Sequence, residues 1–76
     1  MAKFGPISWK KFEKFLLEIG CEFVREKGDH RVYSKKGLSR PIVVPRYAAI
    51  PIFIIRNNLR VLAIDIDAYL KILDRI

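Results

Sequence analysis

Gly28 stands between two short alternating runs, and that turn constrains the chain more than any other feature. Residues 22–26 and 30–34 read as strands, and Lys27-Gly28-Asp29 between them supplies the positive-φ residue a tight hairpin requires. A link this short forces the two strands antiparallel. A second turn, Lys35-Lys36-Gly37-Leu38-Ser39, leads into the β-branched run Ile42-Val43-Val44. Pro41 and Pro45 bracket that run and limit ladder pairing at its ends. Three consecutive strands with tight turns make a meander, with one face against a helix layer and the other wet.

Helical spacing surrounds the meander. Trp9, Phe12, Leu16 and Ile19 form one apolar stripe that Phe15 widens, with Lys10, Lys11, Lys14 and Glu18 on the opposite side. Ser8 is placed to cap this helix, and Gly20 to end it in a left-handed conformation. Pro51 suits the first turn of a second helix, whose buried face is Ile52, Ile55, Leu59 and Leu62. Its far side carries Ile54 and Val61 between Asn57 and Asn58, which either pack under the last helix or form a docking surface. Asp65 caps that last helix, Ile64 and Tyr69 are spaced as a hydrophobic staple, and Ile66, Tyr69, Leu70, Leu73 and Ile76 face inward. The order α-β-β-β-α-α predicts an α+β fold, a three-stranded antiparallel sheet with its helices on one face. Seventy-six residues are enough for one core, so residues 1–76 form a single domain.

Charge gives the first functional signal. The net charge is +7, and seven cations against two anions between Arg25 and Arg46 place +5 of it within 22 residues. A field concentrated this way attracts polyanions, nucleic acid first among them, although a well-solvated surface has the same composition. Arg56 and Arg60 interrupt the most apolar stretch, so no segment spans a membrane. MAKFGPISWKKF lacks the apolar core of a secretory signal, which predicts a cytoplasmic protein. The single cysteine, Cys21, excludes an internal disulfide framework and a cysteine-based zinc site. Neither metal-ligand spacing nor a phosphate-cradling glycine loop is present, so no cofactor is expected.

One side chain is suited to proton transfer near neutral pH: His30, which follows the hairpin turn directly in KGDHRVY. Lys27, Arg31 and Arg25 flank it with positive charge. These are the ingredients of metal-independent RNA cleavage, in which a base activates the ribose 2′-OH for attack on the adjacent phosphate. A plainer reading competes: strand parity puts His30 on the side of Val32, where it would cover the rim of the core.

The helix ending at Gly20 with Phe23 soon after, then KGDHRVY, then IVVP, then two amphipathic helices closing at Ile76, resembles the HicA (YcfA-like) toxin family. The similarity runs from about Ser8 to Ile76, and its most specific piece is glycine, a small residue, histidine and a strand, with IVVP about a dozen residues on. The resemblance implies a double-stranded-RNA-binding-domain-like fold and an mRNA interferase, the toxin of a type II toxin–antitoxin pair, masked by a HicB-like antitoxin. It matches His30 to the family's catalytic histidine and Gly28 to the glycine of its turn. Lys27, Arg31, Lys35, Lys36, Arg46 and Tyr47 are the accompanying candidates for RNA contact. Two positions depart from the family pattern. Asp29 stands where serine or glycine usually precedes the histidine; its carboxylate favours the imidazolium and also repels an approaching phosphate, two effects of opposite sign on the rate. Tyr47 stands where a second histidine often follows the proline motif; it can stack on a base but is a poor proton shuttle. Together the departures predict weak activity.

Two other classes of function stay open on sequence: a non-catalytic RNA-binding module of the same fold, and a protein-interaction domain using the Ile54/Val61 patch. Arg56 and Arg60, four apart beside Phe53, extend an RNA track, engage an acidic antitoxin, or are solvated.

Overall fold

The computed structural model describes residues 3–76. Helix α1 covers Trp9–Glu18, strands β1, β2 and β3 cover Glu22–Lys27, His30–Ser34 and Ile42–Pro45, and helices α2 and α3 cover Ile52–Leu62 and Ile66–Arg75. The order is the expected α-β-β-β-α-α, and the antiparallel sheet has strand order β1-β2-β3. The chain is an α+β domain whose topology is consistent with a double-stranded-RNA-binding-domain-like fold. No helix among the described residues is long and apolar enough to cross a membrane.

Local chemistry sets the boundaries. The Ser8 hydroxyl accepts from the Lys11 amide at 3.2 Å and starts α1. At its end Gly20 takes φ +97°; its amide donates to the Leu17 carbonyl, and the Cys21 amide donates to that of Leu16. That pair of bonds is a Schellman motif, which satisfies two orphan carbonyls. Helix α2 ends with the same bonds, Ala63 to Arg60 and Ile64 to Leu59, but the left-handed position is occupied by Ala63 at φ 57°. Pro51 lies at the cap position just before α2. Asp65 accepts from the Ala68 amide at 2.7 Å and caps α3.

The core joins one face of the sheet to all three helices. Tyr33, Ile42 and Val44 from the strands lie fully buried against Phe12, Phe15 and Leu16 of α1, with Ile55 of α2 and Tyr69 of α3 in the same cluster. Ile54 and Val61 are partly buried against this core, so most of the second apolar side of α2 is used in packing. Asn58 is buried as well: its Nδ2 donates to the Val43 carbonyl at 3.2 Å and seats α2 beside the free edge of β3. That edge is further blunted by Pro41 and Pro45, which have no N–H to offer an incoming strand.

Register decides which way the hairpin residues point. Tyr33 pairs with Ile42 and Arg31 with Val44, on the side of the buried residues. His30, Val32 and Val43 therefore fall on the opposite, open face. The parity expected for His30 and Val32 holds, but their side of the sheet is away from the helices.

Candidate functional site

The loop between β1 and β2 has only two residues, because Lys27 pairs directly with His30. Gly28 takes φ +60° at the first loop position, the pattern of a type II′ hairpin. Asp29 fills the second position, and its carbonyl accepts from the Arg46 amide at 2.7 Å. Arg46 follows Pro45, which itself pairs with His30. The hairpin tip is thus tied to the end of β3. A further bond, from the Trp9 amide to the Tyr47 carbonyl at 3.1 Å, ties that segment to the start of α1.

On this scaffold the His30 imidazole is about half exposed, at 49%, and its Nδ1 lies 2.8 Å from Asp29 Oδ1. That contact places a carboxylate beside Nδ1 and leaves Nε2 as the ring nitrogen without a partner among the described residues. Lys27 stands opposite His30 on β1 and is exposed, without an ion pair among the described residues. Cross-strand partners keep their Cβ atoms about 5 Å apart, so a phosphate beside the imidazole lies within reach of the ammonium. Tyr47 is 42% exposed on the segment tied to the hairpin.

Arg31 is placed differently. As the next residue along β2 it projects to the helix side, where its guanidinium donates to Glu13 at 2.9 and 3.2 Å, to Glu26 at 2.9 Å and to the Tyr33 hydroxyl at 3.0 Å. It also stacks over the Phe23 ring at 4.0 Å and lies 5.2 Å from that of Trp9. The bond to Tyr33, then those to Glu26 and Glu13, raise its proton affinity above the ordinary guanidinium value. Burial, then the hydrogen bond it gives Glu13, push the Tyr33 phenol up to about 12. Arg46 joins the network through Glu26 at 3.1 Å, and its guanidinium lies 5.6 Å from the Trp9 ring. The cations read from sequence therefore divide into Lys27 and Arg25, exposed and without an ion pair among the described residues, a partly neutralised Arg46, and an Arg31 whose donors are committed to carboxylates and a phenol.

Lys35 and Lys36 lie beyond the other end of β2, about 17 Å from His30 at the rise of a strand. There the Lys35 stem passes over Gly20, its Cε 3.6 Å from where a Cβ would stand. The structure thus brings Lys27, Gly28, Asp29, His30 and Tyr47 together with the Arg46 backbone, turns the Arg46 guanidinium toward that of Arg31 on Glu26, and leaves Lys35 and Lys36 apart. Sequence reasoning alone misses Glu13 and Glu26. The signal for Glu26 is there: a two-residue hairpin loop puts it directly across from Arg31. Among the described residues, no three His, Cys, Asp or Glu side chains gather as a metal-binding group.

Fold and site define a class: a small basic α+β domain with a double-stranded-RNA-binding-domain-like topology and a histidine–carboxylate pair at the tip of its hairpin. Residues 9–64 match the family model described as HicA toxin of bacterial toxin–antitoxin, and the chain belongs to that family of toxins. No match is found among curated proteins or among solved structures.

Proposed function

We propose that the chain is a metal-independent endoribonuclease that cleaves mRNA, with His30 as the proton-transfer group. The observation that supports this reading best is the Asp29–His30 pair, held at 2.8 Å on the open face beside an unpaired Lys27. In the proposed reaction Nε2 of His30 takes the proton from a ribose 2′-OH. The 2′ oxygen then bonds to the adjacent phosphorus while the P–O5′ bond breaks. Water protonates the departing 5′ oxygen, and the products are a 2′,3′-cyclic phosphate and a 5′-hydroxyl. Lys27 and the exposed part of Arg46 neutralise charge on the phosphate, and Tyr47 offers a ring for stacking. Asp29 acts through His30 by holding the ring in place. The antitoxin partner is a HicB-like protein that covers the hairpin tip and so blocks access to His30.

Induced expression in a host without the antitoxin tests this reading. Wild type should arrest growth with loss of mRNA, and His30→Ala should not. Equal arrest by both proteins contradicts proton transfer at His30. RNA binding without cleavage by the wild type points to the non-catalytic module instead.

A further inference from the structure

Two arginines without an ion pair among the described residues lie away from the hairpin tip. Between the free edge of β3 and helix α2 is an open cleft of about 440 Å³, lined by Arg40 and Arg60 with Asn57, Asn58 and Val43. Neither guanidinium has an ion pair or hydrogen bond among the described residues, in contrast to those of Arg31 and Arg46. Asn58 uses its Nδ2 on the Val43 carbonyl, so its place in the wall is fixed. Asn57 is exposed and presents a free carboxamide. Val43, 42% exposed, adds an apolar surface to this polar lining. Guanidinium groups for a phosphate, a carboxamide for a base edge and an apolar wall for a base face together suit a nucleotide.

Position argues the same way. Val43 pairs with Val32, which is two residues from His30 on the same strand and the same open face. Two residues along a strand and one strand across amount to roughly 7 and 5 Å, so the mouth of the cleft lies about 10 Å or less from His30. A single strand with its scissile phosphate at His30 runs across Val32 and Val43 and reaches the cleft with a neighbouring nucleotide. We propose that the Arg40–Arg60 cleft is a second RNA subsite, which holds a phosphate of single-stranded RNA next to the one cleaved. The proposal rests on the reading of the chain as an RNA-acting toxin. It commits the cleft to RNA rather than to an acidic segment of the antitoxin.

The test is binding of a short single-stranded oligoribonucleotide, followed by fluorescence anisotropy across a salt series. The full chain carries His30→Ala so that the RNA stays intact. Arg40→Gln with Arg60→Gln should weaken binding about tenfold and make the log–log salt slope shallower by about 0.7 for each phosphate no longer engaged. Lys14→Gln with Lys71→Gln, on exposed positions of α1 and α3, removes the same charge elsewhere and should change affinity less than about twofold. Thermal melts of each variant check that the fold is kept. Equal binding by the cleft variant and its parent overturns the subsite while leaving the ribonuclease reading intact, as does an equal loss in the control. Weaker antitoxin binding with RNA binding preserved also overturns it and makes the cleft a protein-docking surface. If no variant binds RNA at all, the ribonuclease reading fails along with the subsite.

Discussion

The Asp29 carboxylate and the His30 imidazole face each other at 2.8 Å, Oδ1 to Nδ1, across one peptide unit at the tip of the hairpin. The carboxylate that the sequence suggests would repel substrate is turned onto the ring, and the loop that carries it is tied to Arg46 by a 2.7 Å backbone bond. In the proposed reaction Asp29 is therefore a positioning residue. Asp29→Ala should lower kcat about tenfold, roughly 1.4 kcal/mol of transition-state stabilisation, with KM unchanged or reduced because a negative charge has gone. Asp29→Asn keeps a polar oxygen beside Nδ1 and should retain most of kcat. A rise in KM at constant kcat would show instead that Asp29 contacts substrate.

Arg31 ties the hairpin to the helix layer. Its removal leaves Glu13 without its counterion and Glu26 with Arg46 alone, and strips a stacked guanidinium from the Phe23 ring. Arg31→Ala should cost about 2 kcal/mol in denaturant unfolding. Arg31→Lys should recover little, since a point charge cannot reproduce the planar fork. The salt slope of RNA binding should stay that of the parent. A variant as stable as wild type but with a shallower slope would return Arg31 to the phosphate track.

Two tyrosines make stability sensitive to alkali. Burial, then the bond to Glu13, raises the Tyr33 phenol to about 12, and burial alone raises that of Tyr69 further. In the unfolded chain both titrate near the ordinary value of 10.0. A raised folded value means the native state keeps protons that the unfolded state loses. The contribution is whole below about pH 10 and is lost as pH rises toward and beyond 12. Chemical-denaturation midpoints should fall across that window, and the fall should shrink in Tyr69→Phe. A midpoint independent of pH there would contradict the burial of both phenols.

Ala63 occupies the left-handed position that Gly20 occupies at the other Schellman ending. An L-residue with a Cβ pays roughly 1 kcal/mol for that conformation. Ala63→Gly should therefore raise stability by about 0.5–1 kcal/mol, read from the denaturant midpoint. Destabilisation would mean that the methyl group packs better than its exposure suggests.

Much of this was legible in the sequence, for identifiable reasons. The stripe through Phe12 and Leu16, the stop at Gly20, the turn at Gly28 and the cap at Asp65 each rest on local geometry, so they carry over into three dimensions without knowledge of neighbours. What did not carry over depends on facing. In β2 both parities hold an apolar residue, Val32 on one and Tyr33 on the other, so alternation alone does not say which side meets the helices. That ambiguity grouped Arg31 with His30, although adjacent strand residues point to opposite faces. Asn58 was similarly hidden: a carboxamide on an otherwise greasy helix reads as surface until the open carbonyl of Val43 is placed beside it.

End-group analysis of RNA cut by the purified chain in excess chelator is the most direct test of the central claim. The account predicts cleavage under those conditions, with 2′,3′-cyclic phosphate and 5′-hydroxyl ends, and a rate roughly 10²–10⁴-fold lower for His30→Ala. Cleavage that requires a divalent cation and leaves 5′-phosphate ends, or that proceeds equally fast without the imidazole, would contradict it.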